Sequence, residues 1–105
     1  MAIKRIVWTE TAARQRNIIL QYWVERNKSN NYSLKLLELS NEKVRIIAKR
    51  PKMYRLSEFP KTRVASMGHF SIYYKINGDT VIVTAFWDNR QNPEKLLKEL
   101  NKSQY

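Results

Sequence analysis

The beginning of the chain combines a short strand pattern with a longer helical one. The run from Ile3 to Trp8 is rich in strand-forming residues, and its alternate positions would face opposite sides of a sheet. Thr9 stands where a helix N-cap belongs, and the acidic residue after it suits the first turn of a helix. From Glu10 to about Asn27 apolar residues recur with helical spacing, which predicts a first helix.

A second helical pattern follows the polar break at residues 27–31. Apolar residues recur at spacings of three, four and seven from about Tyr32 to Lys49. Pro51 then ends the helix, because proline disfavours helical geometry at the residue before it. Two helices joined by so short a polar loop predict an antiparallel helical hairpin.

The second half of the chain changes to strand patterns after a loop at residues 52–60. Asn77-Gly78 is a strong signal for a two-residue hairpin turn, since both residues tolerate a positive φ. The strand ending at Trp87 is apolar on both faces, so we expect it to be central in the sheet. The predicted strands are Arg63–Met67, His69–Ile76 and Thr80–Trp87.

A last short helix completes an α+β fold of order β-α-α-β-β-β-α. Pro93 fits the first turn of this helix, which we predict from Glu94 to Asn101. Strands two to four should form an antiparallel meander, with the first strand beside the last and the helical hairpin packed on one face. We expect the other face to be partly open and lined by basic and aromatic side chains, and residues 1–105 to be one domain.

The composition excludes several classes of chemistry. The chain of 105 residues has no cysteine, one histidine and two glycines. Disulfides and cysteine zinc sites are therefore excluded, and two glycines do not build a phosphate-binding loop. We expect no metal and no cofactor. The N-terminal MAIKRIVWTE lacks the features of a signal peptide, which favours a cytoplasmic location.

Positive charge is concentrated in the middle of the chain. The protein has 20 basic and nine acidic residues, a net charge of +11 and a pI of about 10.1. Between Lys43 and Arg63 the only acidic residue is Glu58. Such clustering indicates a polyanionic partner such as nucleic acid, or an acidic protein, although a solvated basic surface is the alternative. The cations of this stretch are Lys43, Arg45, Lys49, Arg50, Lys52, Arg55, Lys61 and Arg63.

Metal-free cleavage of RNA is one chemistry that these residues allow. RNA supplies its own 2′-hydroxyl as nucleophile, so the protein needs cations for the developing charge and groups that transfer protons. We take Arg63 and Arg90 as candidate catalytic cations; the alternatives are a solvated strand-start arginine and a bridge from Arg90 to Asp88 or Glu94. Candidate phosphate-binding residues are Lys49, Arg50, Lys52, Arg55 and Lys61, although cations near a helix C-terminus also suit its dipole.

The groups that would transfer protons are less evident. His69 is a candidate, but a histidine at a strand start is more often a half-buried structural residue. Tyr73 is the second candidate. Because Tyr73 and Tyr74 lie on opposite faces of their strand, at most one of them can meet a substrate.

The order of these motifs resembles the RelE/ParE superfamily of bacterial toxins over nearly the whole chain. The matching segments are IVWTETAARQ, the helix-ending Pro51, the strand start at Arg63, GHFSIYYKI and VIVTAFWDNRQNPEKL. The resemblance implies a toxin of a type II toxin-antitoxin module, of the plasmid stabilisation type, neutralised by a cognate antitoxin. It also implies that Arg63 and Arg90 match recurrent family arginines, and that Lys52 and Arg55 lie in a loop where RelE-like members are basic.

Two activities occur in that superfamily, and the chain departs from one of them. RelE-like members cleave mRNA on the ribosome, whereas ParE-like members poison DNA gyrase. RelE-like nucleases commonly carry a tyrosine, or a histidine and a tyrosine, soon after the last strand, where this chain has NRQNPEKL. Tyr105 lies beyond the last helix, and His69 is not at the family's histidine position. The cation surplus favours mRNA cleavage; a gyrase inhibitor and a non-catalytic basic nucleic-acid-binding module are the alternatives.

Overall fold

The computed structural model describes residues 3–102 and follows the predicted element order. The bounds differ from those predicted by at most two residues. None of the helices in this range combines the length and the hydrophobicity that a membrane span requires. The elements are β1 (Arg5–Trp8), α1 (Glu10–Asn27), α2 (Asn31–Lys49), β2 (Arg63–Met67), β3 (Phe70–Asn77), β4 (Thr80–Asp88) and α3 (Pro93–Lys102).

Helix α1 begins and ends with specific caps. Thr9 has extended backbone geometry, and its hydroxyl accepts a hydrogen bond of 3.0 Å from the backbone N–H of Ala12. Lys28 ends the helix in the left-handed conformation, at φ 53°. Asn30, at the N-cap of α2, makes no capping bond with its side chain. The N-cap predicted at Thr9 is therefore confirmed.

The four strands form one mixed sheet of order β1-β4-β3-β2. The antiparallel meander of β2, β3 and β4 is confirmed, and so is the place of β1 beside β4. Strand β1 pairs with β4 in the parallel sense, with Ile6 opposite Val81. A parallel neighbour is feasible there because the helical hairpin carries the chain back across the sheet before β2.

The turn between β3 and β4 lies one residue later than predicted. Asn77 remains in the strand and pairs with Thr80, so the turn residues are Gly78 and Asp79. Gly78 has a φ of 59°, whereas Asn77 does not have a positive φ. A two-residue turn with glycine first needs just one left-handed residue, which explains why the Asn-Gly signal misplaced the turn.

The main core lies between the sheet and the helical hairpin. A β-bulge at Thr84 lets Tyr73 pair with Ala85 while Tyr74 pairs with Val83. The extra residue shifts the alternation along β4, so that Val83 and Phe86 both face the helices. The fully or nearly fully buried residues of this core include Ala12, Ile19, Leu36, Val44, Ile47, Phe70, Ile72, Tyr74, Val81, Val83 and Phe86.

The opposite face of the sheet is more covered than expected. Tyr73 and Trp87 are buried there in a second cluster with Leu96 of α3, and Phe59 packs against it. The expectation that aromatic side chains line an open face is therefore wrong, because the apolar side of α3 covers them. Arg5, which alternates with the core-facing residues of β1, remains exposed.

The two helix starts provide a matched test of capping. We expect Thr9→Ala to lower the free energy of unfolding by about 1 kcal/mol, since it removes the acceptor for the N–H of Ala12. Asn30→Ala, at a cap without a side-chain bond, should cost a few tenths of that value at most. Urea unfolding followed by circular dichroism measures both variants. Equal losses would contradict the assigned cap.

Candidate functional site

The basic cluster from Lys43 to Arg63 occupies the end of α2, the following loop and the start of β2. The candidate phosphate-binding side chains in it are all exposed. Within residues 3–102, none of them lies within 4.0 Å of a carboxylate oxygen. Their charge is thus available to a polyanion, while phosphate binding itself stays a prediction. These residues are Lys49, Arg50, Lys52, Arg55 and Lys61.

Arg63 holds the loop that follows α2. Its Nη1 donates to the backbone carbonyl of Tyr54 at 2.6 Å and to that of Lys52 at 3.4 Å. The Tyr74 hydroxyl, on the neighbouring strand, donates to the Pro51 carbonyl at 2.6 Å. We call Arg63 and Tyr74 the loop clamp. The clamp gives Arg63 a structural task in addition to its predicted catalytic one.

Burial keeps the phenol of Tyr74 protonated. The side chain is fully buried, and desolvation is the largest cause that raises its pKa to about 12, against a smaller lowering by the Arg63 charge. A phenol with so high a pKa remains a hydrogen-bond donor across the physiological range. The Pro51 carbonyl therefore keeps its hydrogen-bond donor throughout that pH range.

Arg90 is fixed by a carboxylate and by aromatic rings. Its Nε and Nη2 donate to the two carboxylate oxygens of Asp88, each at 2.9 Å, and its backbone N–H donates to Oδ1 at 3.0 Å. The guanidinium lies 5.6 Å from the ring centroid of Trp23 and 5.8 Å from that of Phe70. The hydrogen bond from Arg90 is the main cause that lowers the pKa of Asp88. The bridge to Asp88 that the sequence suggested is present.

The structure does not bring the two predicted catalytic arginines together. Arg90 packs on Trp23, whose ring contacts Tyr32 at the start of α2, with 5.1 Å between centroids. Arg63 instead binds the loop beyond the end of α2. Helix α2 has 19 residues, and a helix of that length spans about 28 Å. The arginines thus lie toward opposite ends of α2, and their catalytic assignment stays a prediction.

His69 lies in the turn between β2 and β3, at the same end of the sheet as Arg90. Its side chain is exposed, so the alternative of a half-buried structural histidine is wrong. Its carbonyl accepts a hydrogen bond of 2.8 Å from the backbone N–H of Asn89. The charge of His69 is also a minor cause that lowers the pKa of Asp88. Of the predicted site residues, His69 and Arg90 are the two that share one corner.

Tyr73 is poorly placed for proton transfer. It is 8% exposed, and its ring meets Phe59 edge-on at a centroid distance of 5.6 Å. Burial is the first cause that raises the pKa of Tyr73; the Glu58 charge raises it further and the Arg55 charge lowers it. A raised pKa makes the phenol a weaker acid, so its role in proton transfer stays a prediction. Tyr105 lies outside the described residues.

Sequence reasoning missed a groove beside α1. Ile18 and Tyr22 are 61% and 52% exposed, next to the buried Ile19. They border two adjoining depressions of about 270 and 490 Å³, which share Ile18, Ile19 and Gln91. We call these depressions together the α1 groove. The sequence did contain a signal for this groove, the adjacent pair Ile18 and Ile19. Only Ile19 is buried in the core, so Ile18 widens the apolar face of α1 beyond the part that packs on the sheet.

Comparison with protein families identifies the chain. The model of the ParE toxin of type II toxin-antitoxin systems, parDE, matches residues 6–93. The chain belongs to the ParE toxin family. This match confirms the predicted resemblance, and family membership implies a cognate antitoxin as partner.

A solved structure supports the fold of this ParE-family toxin. A chain of the structure titled "Chromosomal ParDE TA system from P. aeruginosa" superposes with a TM-score of 0.71 at 20% sequence identity. The match covers 80% of this chain and 94% of that one. At such low identity the likeness shows the fold alone. No curated protein matches the chain in sequence.

The loop clamp can be tested through Tyr74. We expect Tyr74→Phe to lower the free energy of unfolding by about 1–3 kcal/mol, because the buried Pro51 carbonyl would lose its donor. Tyr22→Phe, at a position that is 52% exposed, should change it by less than about 0.5 kcal/mol. Urea unfolding followed by tryptophan fluorescence measures both. A Tyr74→Phe variant as stable as the control would contradict the clamp.

The bridge between Asp88 and Arg90 should make the free energy of unfolding depend on pH in the acidic range. The pKa of Asp88 in the folded protein lies below its ordinary value of 3.8. The bridge therefore contributes fully to the free energy of unfolding above pH 3.8, and this contribution is lost as the pH falls through the folded pKa. Because the Arg90 side chain is 48% exposed, we expect Asp88→Asn to cost on the order of 1 kcal/mol or less at pH 7.

Urea unfolding of wild type and Asp88→Asn at several pH values between 7 and 3 measures this dependence. The difference between the two proteins should shrink toward the acid end. Glu38→Gln, at an exposed position of α2, is the control and should show no such trend. A difference that stays constant with pH would contradict an ionic contribution.

Proposed function

We propose that this ParE-family toxin inhibits DNA gyrase by binding to it, without cleaving RNA. The observation that carries the proposal is that the side chains expected to cleave RNA are engaged within the protein. Arg63 binds loop carbonyls, Arg90 binds Asp88, and Tyr73 is packed against Phe59. A catalytic group must instead reach the reacting atoms in a productive geometry.

The positive surface supports a target that carries DNA. The exposed cations at the end of α2 and in the following loop suit contact with phosphates beside a protein surface. Gyrase that has bound DNA presents both a protein surface and DNA phosphates. ParE-like members of the superfamily act on gyrase, which adds support from the family match. The proposed site of action is the bacterial cytoplasm.

Ribosome-dependent mRNA cleavage is the second candidate function. It is favoured by the corner where the exposed His69 lies near Asp88 and Arg90, since histidine and arginine together could supply a proton and a positive charge. The basic cluster would then hold ribosomal RNA or mRNA. This is the function that the cation surplus favoured in the sequence.

A pair of assays separates the two functions. We expect micromolar purified toxin to inhibit supercoiling of relaxed plasmid by gyrase and ATP, and to leave mRNA intact on programmed ribosomes. Heat-unfolded toxin is the control for charge alone. Cleavage of mRNA in the ribosomal A site without inhibition of gyrase would overturn the proposal in favour of the second candidate.

A charge reversal in the basic cluster tests the surface involved. We expect Lys52→Glu to weaken gyrase inhibition several-fold, because it removes a cation and places an anion toward phosphate. Lys35→Glu makes the same change of net charge at an exposed position of α2 outside the cluster, and should have a smaller effect. The half-inhibitory concentration in the supercoiling assay measures both. Equal effects would indicate that net charge acts without a defined surface.

A further inference from the structure

A cavity of about 510 Å³ lies on the face of the sheet that α3 covers. Tyr73 of β3 and Trp87 of β4 line it, and Phe59 of the loop before β2 meets the Tyr73 ring edge-on, with 5.6 Å between centroids. Cavities of roughly 300–1,000 Å³ with a mainly apolar and aromatic lining are typical of sites for small molecules. We call it the α3 cavity. Its other apolar lining residues are Pro60, Pro93, Leu96 and Leu97.

The charge of the α3 cavity is opposite to that of the whole protein. The chain has 20 basic and nine acidic residues, yet within residues 3–102 the charged residues that line the cavity are two carboxylates, Glu58 and Glu94. Neither carboxylate lies within 4.0 Å of a basic nitrogen in the described part of the chain. A local negative site in a protein with a net charge of +11 suits a positively charged ligand.

The helix dipole explains the position of Glu94 but not that of Glu58. Glu94 stands in the first turn of α3, where a carboxylate interacts favourably with the dipole. Glu58 lies in the loop before β2, and its charge raises the pKa of Tyr73, after the larger effect of burial. Arg55 also acts on this phenol, in the opposite sense, but it is not among the lining residues. The Glu58 carboxylate is therefore close to the aromatic part of the cavity.

Tyr73 brings to the cavity a polar atom that the protein leaves without a partner. The side chain is 8% exposed and lines the cavity. Within residues 3–102 its hydroxyl makes no hydrogen bond, whereas the hydroxyl of Tyr74 donates to the Pro51 carbonyl at 2.6 Å. Polar groups of largely buried side chains are normally hydrogen-bonded. A donor on a ligand in the cavity would satisfy the Tyr73 oxygen.

The loop wall of the cavity is held by hydrogen bonds of its own. The backbone N–H and the hydroxyl of Ser57 both donate to the Thr62 carbonyl, at 2.8 and 2.7 Å. The backbone N–H of Phe59 donates to the Ser57 hydroxyl oxygen at 3.2 Å. The Thr62 hydroxyl donates to the Pro60 carbonyl at 2.8 Å. A wall that is ordered before binding loses less conformational entropy when a ligand enters.

We propose that the α3 cavity binds a small organic cation, an ammonium group on an aromatic or alkyl body. The body packs against Phe59 and Trp87, whose π-systems also attract the positive charge. The ammonium group donates to the Tyr73 hydroxyl and faces Glu58 and Glu94. The proposal does not rest on the inhibition of gyrase, because a toxin without effect on gyrase has the same cavity.

Two matched pairs of probes test the preference for a cation. They are tryptamine with indole-3-propionate, and phenethylamine with 3-phenylpropionate. Each is titrated into the full-length protein at pH 7 and followed in ¹H–¹⁵N spectra. We expect at least one amine to shift the indole N–H resonance of Trp87 saturably, and to bind at least fivefold more tightly than its carboxylate analogue. The net charge of +11 acting at long range would favour the carboxylates, so a preference for amines reports the local site.

Removal of the two lining carboxylates tests their part in binding. We expect the double variant Glu58→Gln and Glu94→Gln to bind the amine about tenfold more weakly. The double variant Glu38→Gln and Glu42→Gln makes the same change of net charge at exposed positions of α2, and should bind like wild type. Tyr73→Phe keeps the ring and removes the hydroxyl, and should weaken binding about threefold. Circular dichroism of each variant shows that it is folded.

Four outcomes would overturn the proposal. They are amines that leave the Trp87 indole resonance unchanged at millimolar concentration, carboxylates that bind as tightly as the amines, equal affinity in the two double variants, and Tyr73→Phe that binds like wild type. These measurements do not involve gyrase. Failure of the supercoiling assay therefore leaves them unaffected, and a cavity that binds no amine leaves the proposed inhibition of gyrase intact.

Discussion

Strand β4 lies in the middle of the sheet, and its burial on both faces organises the fold. This strand pairs with β1 on one side and β3 on the other, and its residues from Val81 to Trp87 are all buried. The bulge at Thr84 reverses the alternation within the strand, so Val83 and Phe86 both enter the core under the helical hairpin. Each layer of the protein packs on this strand, which ends at the candidate site.

The end of β4 holds one of the two candidate arginines, and the other is held elsewhere. Asp88, its last residue, holds Arg90 against Trp23 and Phe70, while Arg63 is held beyond the other end of α2 by loop carbonyls. The exposed cations of the basic cluster stay available because few acids are near them in the sequence. The cluster therefore presents positive charge at the surface that is unpaired within residues 3–102, whereas Arg63 and Arg90 are bonded within the protein.

Much of the fold could be predicted from the sequence because local signals agreed. The Thr9 cap, Pro51 and the two-sided apolar pattern of β4 each marked an element or its place, and the structure has these elements where they were predicted. The turn predicted at Asn77-Gly78 lies one residue later, at Gly78-Asp79, because both dipeptides suit a tight turn. The covering of Tyr73 and Trp87 was missed, because the pattern of α3 shows an apolar side without showing where it packs.

Residue types and short spacings are enough to predict the element order, the positive charge and the resemblance to a toxin superfamily. The contacts of the candidate residues, in contrast, emerge when the chain is folded. Arg63 and Arg90 looked equivalent as arginines at strand ends, yet one binds backbone carbonyls and the other a carboxylate. The α3 cavity was likewise invisible in the sequence. Contacts between residues distant along the chain arise from packing, and packing is not encoded in any local pattern.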